Sequence, residues 1–376
     1  MDFDFTQEQV MLRNLAGEFL ARESPPNVVR RQIEDPLGYS EDTWRHMASM
    51  GWQGLAITSE LGGQGLGAIE QALVLDEMGR TAYCGPYFAT TVLAGTALAE
   101  AGDTDILPAI ARGEIKATLA ILEDALSWQP AAVNMRAVRH GGDYVLSGIK
   151  RFVPWAHVAD VVLVVARTEG GRTVFAVDGG APRQSANVEM DLTSRTSTLV
   201  FDDVRVTAVI GQVDRGWDLI GPTLRRAAVG AAAEMLGAMR RCMDMSVEYA
   251  RVRHQFGQPI GAFQAIKHSC AEMLLEVENA HAATYYAAWA ADAGAPDAAL
   301  AASVAKAYVG EASRKVCGSA IQVHGGIGFT WEYDLHLYFK RAKHLEPLYG
   351  DADFHREQAL QLLQAPVREA RQAVLV

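Results

Sequence analysis

Residues 249–264 (YARVRHQFGQPIGAFQ) contain residue types that can hold a phosphate and a planar ring. Helical periodicity of the apolar residues stops here and resumes afterwards, and two glycines and a proline interrupt it, which predicts a turn between two helices. At such a turn Arg253 can bind a phosphate through its forked donors, and Phe256 can stack on a planar ring. The alternative interpretation is a helix-capping arginine beside a core phenylalanine.

Residues 322–330 (QVHGGIGFT) form a second candidate binding segment. Three glycines after a long helical pattern would let the backbone approach a ligand closely and leave N–H groups directed outward. A helix C-terminus followed by an ordinary loop explains the same pattern. His324 lies among apolar neighbours without a second histidine or carboxylate at a ligating offset. It is therefore interpreted as a structural histidine, and no metal site is predicted.

The composition narrows the possible functions. A formal net charge of −11 argues against a sequence-independent nucleic-acid binder, because such proteins need a basic face. The four cysteines fit neither a disulfide framework nor a zinc site, and therefore favour a reducing compartment. The N-terminal residues lack a signal-peptide pattern, and no apolar run approaches the roughly 20 residues that cross a bilayer. A cytoplasmic location is expected.

The spacing of the apolar residues divides the chain into three regions, and their elements must position the two candidate segments. Helical periodicity predicts an N-terminal α-helical domain over residues 1–117. Short β-branched runs bounded by turn residues predict an antiparallel middle β-sandwich or barrel over residues 118–212. Helical periodicity returns over residues 213–376, where a C-terminal helical bundle is expected. The predicted fold class is thus α+β. The predicted strands include residues 144–146, 160–166, 172–177 and 198–201, and the predicted long helices cover residues 217–251, 262–293, 297–322 and 331–343.

The two candidate segments resemble the paired signatures of the acyl-CoA dehydrogenase family, Y-A-x-x-R-x-x-F-G-x-x-I-x-x-x-Q and Q-x-x-G-G-x-G-[FY]. Residues 51–55 (GWQGL) and 61–65 (LGGQG) are similar to the family's N-terminal helical-domain motif. Residues 201–206 (FDDVRV) are similar to the strand that closes its β-domain. The similarity extends over essentially the whole chain in the same order, so the chain is identified as a member of this family.

The resemblance implies an FAD-dependent oxidoreductase, usually tetrameric, that acts on an acyl-CoA thioester. A carboxylate removes the α-proton, which requires a positioned and desolvated acceptor, while the β-hydride passes to the flavin. An electron-transferring flavoprotein is the implied electron acceptor. Each flavin lies between subunits, and the two signatures would hold its ADP moiety. The cofactor residues implied are Arg253 at the pyrophosphate, Phe256 near the flavin or ribityl chain, Gln322, Gly325 and Gly326 at the adenosine end, and Gln255 and Gln264 as further contacts.

The position of the family's usual catalytic base is changed in this chain. Many members have a glutamate just before a glycine, and here that position holds Tyr349. A phenol with an ordinary pKa near 10 is a poor base for this proton. The family's second base position falls on the inert Ala227 or Ala228. Asp351 and Glu346 are nearby carboxylates that could substitute, although Asp351 is better interpreted as the cap of the following helix. The catalytic residue is therefore unassigned.

The segment expected to contact the flavin ring also departs from the family pattern K-x-W-I-T. Residues 150–154 (KRFVP) correspond to it. Pro154 replaces the threonine that would bond the flavin, and proline has neither a hydroxyl nor an N–H. Phe152 replaces the tryptophan, although Trp155 lies close in sequence.

This combination resembles the non-base-bearing subunit of heterotetrameric actinobacterial acyl-CoA dehydrogenases that act on steroid side chains. In these enzymes two related subunits form an α2β2 assembly with fewer flavins than subunits. The resemblance implies that a paralogous partner brings the base and the flavin-ring site. Two alternatives stay open: a self-sufficient homotetramer with Asp351 or Glu346 as base, and a non-catalytic scaffold. The retained Arg253 and Phe256 argue against a scaffold, which has no physical need for a phosphate-binding turn. Whether the acyl group is a fatty acid or a steroid side chain is not predicted.

Overall fold

The computed structural model describes residues 4–374, with side chains described as far as residue 364. The first helix begins with a capping box, in which the Thr6 side chain accepts from the Gln9 N–H and the Gln9 side chain accepts from the Thr6 N–H. The helices are α1 (Gln7–Glu23), α2 (Pro26–Glu34), α3 (Glu41–Ser49), α4 (Ala68–Thr81), α5 (Gly95–Glu100), α6 (Leu107–Ala111), α7 (Trp217–Val252), α8 (Gln264–Asp292), α9 (Ala298–His324), α10 (Leu335–Leu345) and α11 (Ala352–Val374).

Eight strands between residues 117 and 210 form one sheet, and two further short strands form a hairpin after α7. The strands are β1 (Ala117–Ala120), β2 (Arg136–His140), β3 (Asp143–Pro154), β4 (Val161–Arg167), β5 (Arg172–Asp178), β6 (Arg183–Ala186), β7 (Thr196–Val206), β8 (Val209–Ile210), β9 (His254–Gln255) and β10 (Gln258–Pro259). The order in the large sheet is β6-β7-β3-β2-β4-β5-β8, with β1 paired to β4.

The predicted α+β fold class is confirmed, because helices, a central sheet and further helices follow one another along the chain. The four long helices predicted after residue 217 correspond to α7–α10. The boundaries between the three predicted domains stay a prediction. Residues 1–3 and 375–376, at the ends of the predicted first and third domains, lie outside the described residues.

The described chain forms two compact units. A helical unit contains residues 4–29, 68–83 and those from 228 onward, and a sheet unit contains residues 30–67 and 84–227. None of the described helices is long and apolar enough to span a membrane. The four cysteines are free thiols.

Helix α9 lies at the centre of the helical unit and packs against α8, α10 and α11. Its buried residues are mostly small and recur every three or four positions, so neighbouring helices can approach closely. They include Ala301, Ala305, Val309, Ala312, Val316 and Ala320.

The backbones of α4 and α7 touch where two glycines face each other's helix. A Cβ built on Gly79 would lie 2.0 Å from the carbonyl oxygen of Glu234, and one built on Gly237 would lie 1.8 Å from that of Asp76. Only a residue without a side chain fits at either position. Beside the contact, Arg240 and Tyr285 both bond the buried Asp76 carboxylate, at 2.7 and 3.0 Å.

The sheet unit has an apolar core formed by the strands that the β-branched runs predict, including Val162, Val164, Phe175, Leu199 and Phe201. The sequence predicted an antiparallel sheet, whereas β4 pairs in parallel with β1 and, through one residue pair, with β2. Strands β2 and β3 intervene along the chain between β1 and β4. This intervening connection lets β4 return in the same direction as β1.

We predict that Gly237→Ala destabilises the protein by about 3 kcal/mol, because the added methyl group would overlap the backbone carbonyl of Asp76. Urea unfolding followed by circular dichroism measures the effect. Gly318→Ala in α9 is the matched control, since no atom lies within 4 Å of its added Cβ. It should leave stability unchanged or raise it by up to about 1 kcal/mol. Equal unfolding midpoints for the two variants would contradict the packing argument.

Candidate functional site

The first candidate segment forms a β-hairpin between α7 and α8. Gln255 pairs with Gln258, and the two residues between them, Phe256 and Gly257, have left-handed φ angles of +53° and +80°. Two left-handed central residues define the tight turn that suits a hairpin. A bulky side chain rarely adopts this conformation, and the Phe256 side chain is 91% exposed. The alternative interpretation of a core phenylalanine is therefore wrong.

Arg253 lies at the junction between α7 and this hairpin. Its N–H donates to the Tyr249 carbonyl, and its own carbonyl accepts from the Ile260 N–H, both at 2.8 Å. These two bonds fix the backbone and leave the side chain exposed. Its guanidinium forms no ion pair with any residue from 4 to 364, so it can bind an external anion.

The second candidate segment begins at the C-terminus of α9. Gly325 ends the helix with φ +64°, and its N–H donates to carbonyls of the last turn. The interpretation as a helix C-cap is thus confirmed, and it does not exclude a binding role. Gly325 and Gly326 are exposed, and a Cβ built on either one would find no atom within 4 Å. The backbone is therefore open to a ligand.

Stacked aromatic rings join the two segments. The ring of Tyr249, which opens the first segment, lies 4.5 Å from the ring of His324 in the second, with an interplanar angle of 25°. His324 is buried; its Nδ1–H donates to the Ala320 carbonyl at 2.7 Å, and its Nε2 accepts from the Tyr333 hydroxyl at 3.1 Å. Burial also lowers the pKa of His324. The structural role predicted for this histidine is confirmed.

The cofactor-binding residues that the family resemblance implies share one property, which is solvent exposure in the single chain. They are Arg253, Gln255, Phe256, Gln264, Gln322, Gly325 and Gly326. Phe256 contacts the Phe263 ring edge-on, with centroids 6.1 Å apart, next to the start of α8 at Gln264. Cationic, amide and aromatic groups are thus presented together on segments whose backbones are fixed.

The expected base position has a different environment. Tyr349 is buried and left-handed, with φ +62°. Burial raises the pKa of its phenol, and the nearby Glu234 charge adds to the effect. A phenol with a raised pKa stays protonated near neutral pH and cannot accept a proton.

Two buried side chains hold the backbone around Tyr349. The ammonium of Lys306 donates to the carbonyls of Glu346 and Gly350, both at 2.7 Å, and Nε2 of His355 donates to the Tyr349 carbonyl at 3.1 Å. Burial lowers the pKa of Lys306 to about 7. Burial, together with the Lys306 charge, lowers the pKa of His355 to about 4. Three backbone carbonyls between residues 346 and 350 are therefore bonded by buried side chains.

The two candidate replacement carboxylates have structural partners. Asp351 accepts a hydrogen bond from the Phe354 N–H at 2.8 Å and caps α11, although its side chain is exposed. The Glu346 carboxylate lies 3.9 Å from the Lys343 ammonium and is mostly shielded from solvent. Each carboxylate thus has a partner of its own, and the expected base position itself is still occupied by Tyr349.

Sequence reasoning missed a buried ion pair next to Tyr349. Glu234 is buried in α7, and its carboxylate lies 3.3 Å from the guanidinium of Arg341, which also donates to the Tyr83 carbonyl at 2.9 Å. Glu234 is the single ionisable residue between positions 227 and 239, in an otherwise apolar run. A lone charge inside such a run could have indicated a buried pair.

The segment expected near the flavin ring is part of β3 in the sheet unit. Lys150 is fully buried, and its ammonium bonds the Ile121 carbonyl and the Glu123 carboxylate at 3.1 and 2.7 Å. Pro154 accepts a hydrogen bond from the Thr118 hydroxyl at 2.6 Å through its carbonyl. Trp155 is buried with its ring edge-on to Tyr39.

Comparison with known proteins identifies the family. The model of the acyl-CoA dehydrogenase N-terminal domain matches residues 6–114, and that of the C-terminal domain matches residues 214–363. The chain is 33% identical to the acyl-CoA dehydrogenase IpdE2 of Mycobacterium tuberculosis, over 89% of this chain and 91% of that one. This chain belongs to the acyl-CoA dehydrogenase family. Members of this family are FAD-dependent oxidoreductases that act on acyl-CoA thioesters.

The chain is also similar to two further proteins. It is 30% identical to the acryloyl-CoA reductase (NADH) of Anaerotignum propionicum, over 95% of this chain and 94% of that one. It superposes with a TM-score of 0.87 and 27% identity on a chain of the ChsE4-ChsE5 complex from Mycobacterium tuberculosis, over 97% of this chain and 99% of that one. The second relative is a complex of two different chains.

The buried His355 predicts that the stability of the folded protein depends on pH. Its pKa is about 4 in the folded state and about 6.5 when unfolded, so between these values the unfolded state binds more protons. Stability should therefore fall as the pH is lowered from 6.5 towards 4, by up to about 1.4 kcal/mol per pH unit from this group. Urea unfolding at several pH values measures the slope.

In the His355→Gln variant, whose amide can still donate to the Tyr349 carbonyl, this part of the slope should be absent. His140→Gln, at an exposed position, serves as the control and should keep the slope of the unmodified protein. Parallel pH profiles for the two variants would show that His355 is not the group responsible.

Proposed function

We propose that this chain is the subunit of a heteromeric acyl-CoA dehydrogenase that completes the ADP site of FAD, while a paralogous partner supplies the catalytic glutamate and the flavin-ring site. The observation that carries this proposal is an asymmetry between the two kinds of site. Arg253 and Phe256 are exposed and fixed for binding, whereas the base position is a buried phenol on an anchored segment.

The donor set fits the ADP half of FAD. Arg253 would bind the pyrophosphate, since guanidinium forks match phosphate oxygens. Gln322 and the open backbone at Gly325 and Gly326 would meet the adenosine end. Because these groups are exposed, a second protein surface is needed to enclose the cofactor, which supports a site shared between subunits.

The residues of β3 do not fit the flavin ring in the way the family pattern requires. Pro154 has no N–H, and its carbonyl already accepts from Thr118. The nearby Lys150 ammonium is buried and bonded to Glu123. The ring contacts are therefore assigned to the partner's β-domain.

Bound FAD would supply the hydride acceptor. Removal of the α-proton needs a desolvated carboxylate within reach of the thioester, and Tyr349 cannot take that role. Asp351 caps a helix, and Glu346 faces Lys343. The proton acceptor is thus assigned to the partner chain, as is consistent with the similarity to the two-chain ChsE4-ChsE5 complex. An electron-transferring flavoprotein is the expected electron acceptor, and a cytoplasmic location is expected.

Expression of the chain alone and together with a paralogous acyl-CoA dehydrogenase encoded next to it tests the proposal. The chain alone should be colourless and inactive. The co-expressed pair should be yellow and active. We expect about one FAD for two chains, because a complete donor set forms only where the ADP-binding residues of this chain meet the flavin-ring site of the partner. Visible absorbance measures the FAD content, native mass measures the subunit composition, and turnover of an acyl-CoA thioester measures the activity. A yellow, active homo-oligomer from the single gene would overturn the proposal.

In the co-expressed complex, Arg253→Ala should lower the affinity for FAD about tenfold or more, because it removes charge-assisted hydrogen bonds to the pyrophosphate. FAD content after dialysis measures the loss. Arg251→Ala is the matched control, since this arginine is exposed and lies two positions away on the last turn of α7. Equal FAD loss in both variants would indicate a general effect of charge instead of a specific contact.

Asp351→Asn should leave turnover of the complex within about twofold of the unmodified enzyme, because asparagine caps a helix as well as aspartate does. Glu346→Gln should behave in the same way. Loss of a true general base would lower turnover by about 10²-fold or more. Such a loss with FAD retained, in either variant, would favour a self-sufficient enzyme that uses this carboxylate.

A further inference from the structure

Three arginines lie side by side across three neighbouring strands of the sheet unit. Arg136 of β2 pairs with Arg167 of β4, and Arg167 pairs with Arg172 of β5. Residues directly opposite each other on paired strands project from the same face, with Cβ atoms about 5 Å apart. Three positive charges are thus placed next to one another in a chain of net charge −11.

These arginines line a cavity of about 410 Å³, formed by residues 136–139 and 167–172. This volume is within the range of small-molecule sites. Arg136 and Arg167 are exposed, and Arg172 is half-buried. The Nε atom of Arg172 is buried and has no hydrogen-bond partner among the described residues. A buried donor without an acceptor is costly, which indicates that an external acceptor belongs there.

Nearby acidic groups do not neutralise the three arginines. Glu169 lines the cavity and is exposed, and the Asp214 carboxylate accepts a hydrogen bond from the Thr168 hydroxyl. Arg215, which forms a backbone bridge to Arg172, is itself paired with Asp218. Within residues 4–364, none of the three ladder arginines forms an ion pair. Directly opposed like charges destabilise a sheet, so an anion that binds here would relieve their repulsion.

We propose that the arginine ladder Arg136–Arg167–Arg172 binds a small anion with two or more phosphate groups. Guanidinium groups match phosphate oxygens in a bidentate geometry, and a ligand with several negative charges matches three adjacent cations better than a single carboxylate does. The site lies wholly within the sheet unit. It is independent of Arg253 and of the FAD site proposed above.

Isothermal titration of the full-length chain with inorganic pyrophosphate tests the site. Arg167→Gln, which removes the central charge, should weaken binding about tenfold or more. Arg183→Gln is the matched control, because this exposed arginine lies on β6 of the same sheet, away from the cavity. It should bind within about twofold of the unmodified chain. Arg253→Gln should also keep the ladder's affinity, which separates this site from the proposed ADP site.

Arg136→Gln provides a second variant at a more exposed position, should Arg167→Gln fail to fold by circular dichroism. ADP and coenzyme A, used as competitors, distinguish a nucleotide diphosphate from the phosphorylated end of a thioester substrate. At least one should displace pyrophosphate from the unmodified chain. Absence of pyrophosphate binding, or equal affinity in the folded ladder variants and Arg183→Gln, would overturn the proposal.

Discussion

The backbone contact between α4 and α7 is the constraint on which the helical unit depends. Gly79 and Gly237 let the two helices meet without intervening side chains. The contact holds the backbone of α7 at Glu234 against α4. From that position Glu234 reaches Arg341 of α10, and its charge acts on Tyr349. The crossing of α4 and α7 therefore affects the ionisation of Tyr349, although it lies more than 100 positions away in the sequence. The buried Glu234 carboxylate further disfavours the charged form of the Tyr349 phenol.

The segment before α11, which contains Tyr349, is held by bonds to its own backbone. Its carbonyls accept from Lys306 and His355, and its last residue, Asp351, caps the next helix. Each bond satisfies a backbone group that would otherwise be costly to bury. In the same unit, Arg253 and residues 254–258 of the hairpin that follows it are exposed to solvent. The contrast between an inward-facing base segment and an outward-facing binding segment is the physical basis of the proposed division of work between subunits.

Local sequence patterns predicted the features that depend on local physics. The turn near Arg253, the end of a helix at Gly325 and the cap at Asp351 follow from glycine, proline and aspartate preferences within a few residues. The role of His324 followed from its apolar surroundings. The anchoring by Lys306 joins residues about 40 positions apart, and the alignment of Arg136 with Arg167 depends on a parallel strand register. Long-range register and helix crossings are set by tertiary packing, so no local pattern contains them.

The rigid hairpin tip at Phe256 has a consequence for how the chain meets another surface. Its ring is extended into solvent by a tight turn and not by a mobile loop, so its position is already set before any contact forms. The conformational entropy of the Phe256 turn is lost when the chain folds, so less conformational entropy is lost when this residue binds another surface. An exposed aromatic ring in a fixed position can bind a complementary pocket without first having to be ordered. The isolated chain, in turn, exposes an apolar group to water that only association removes.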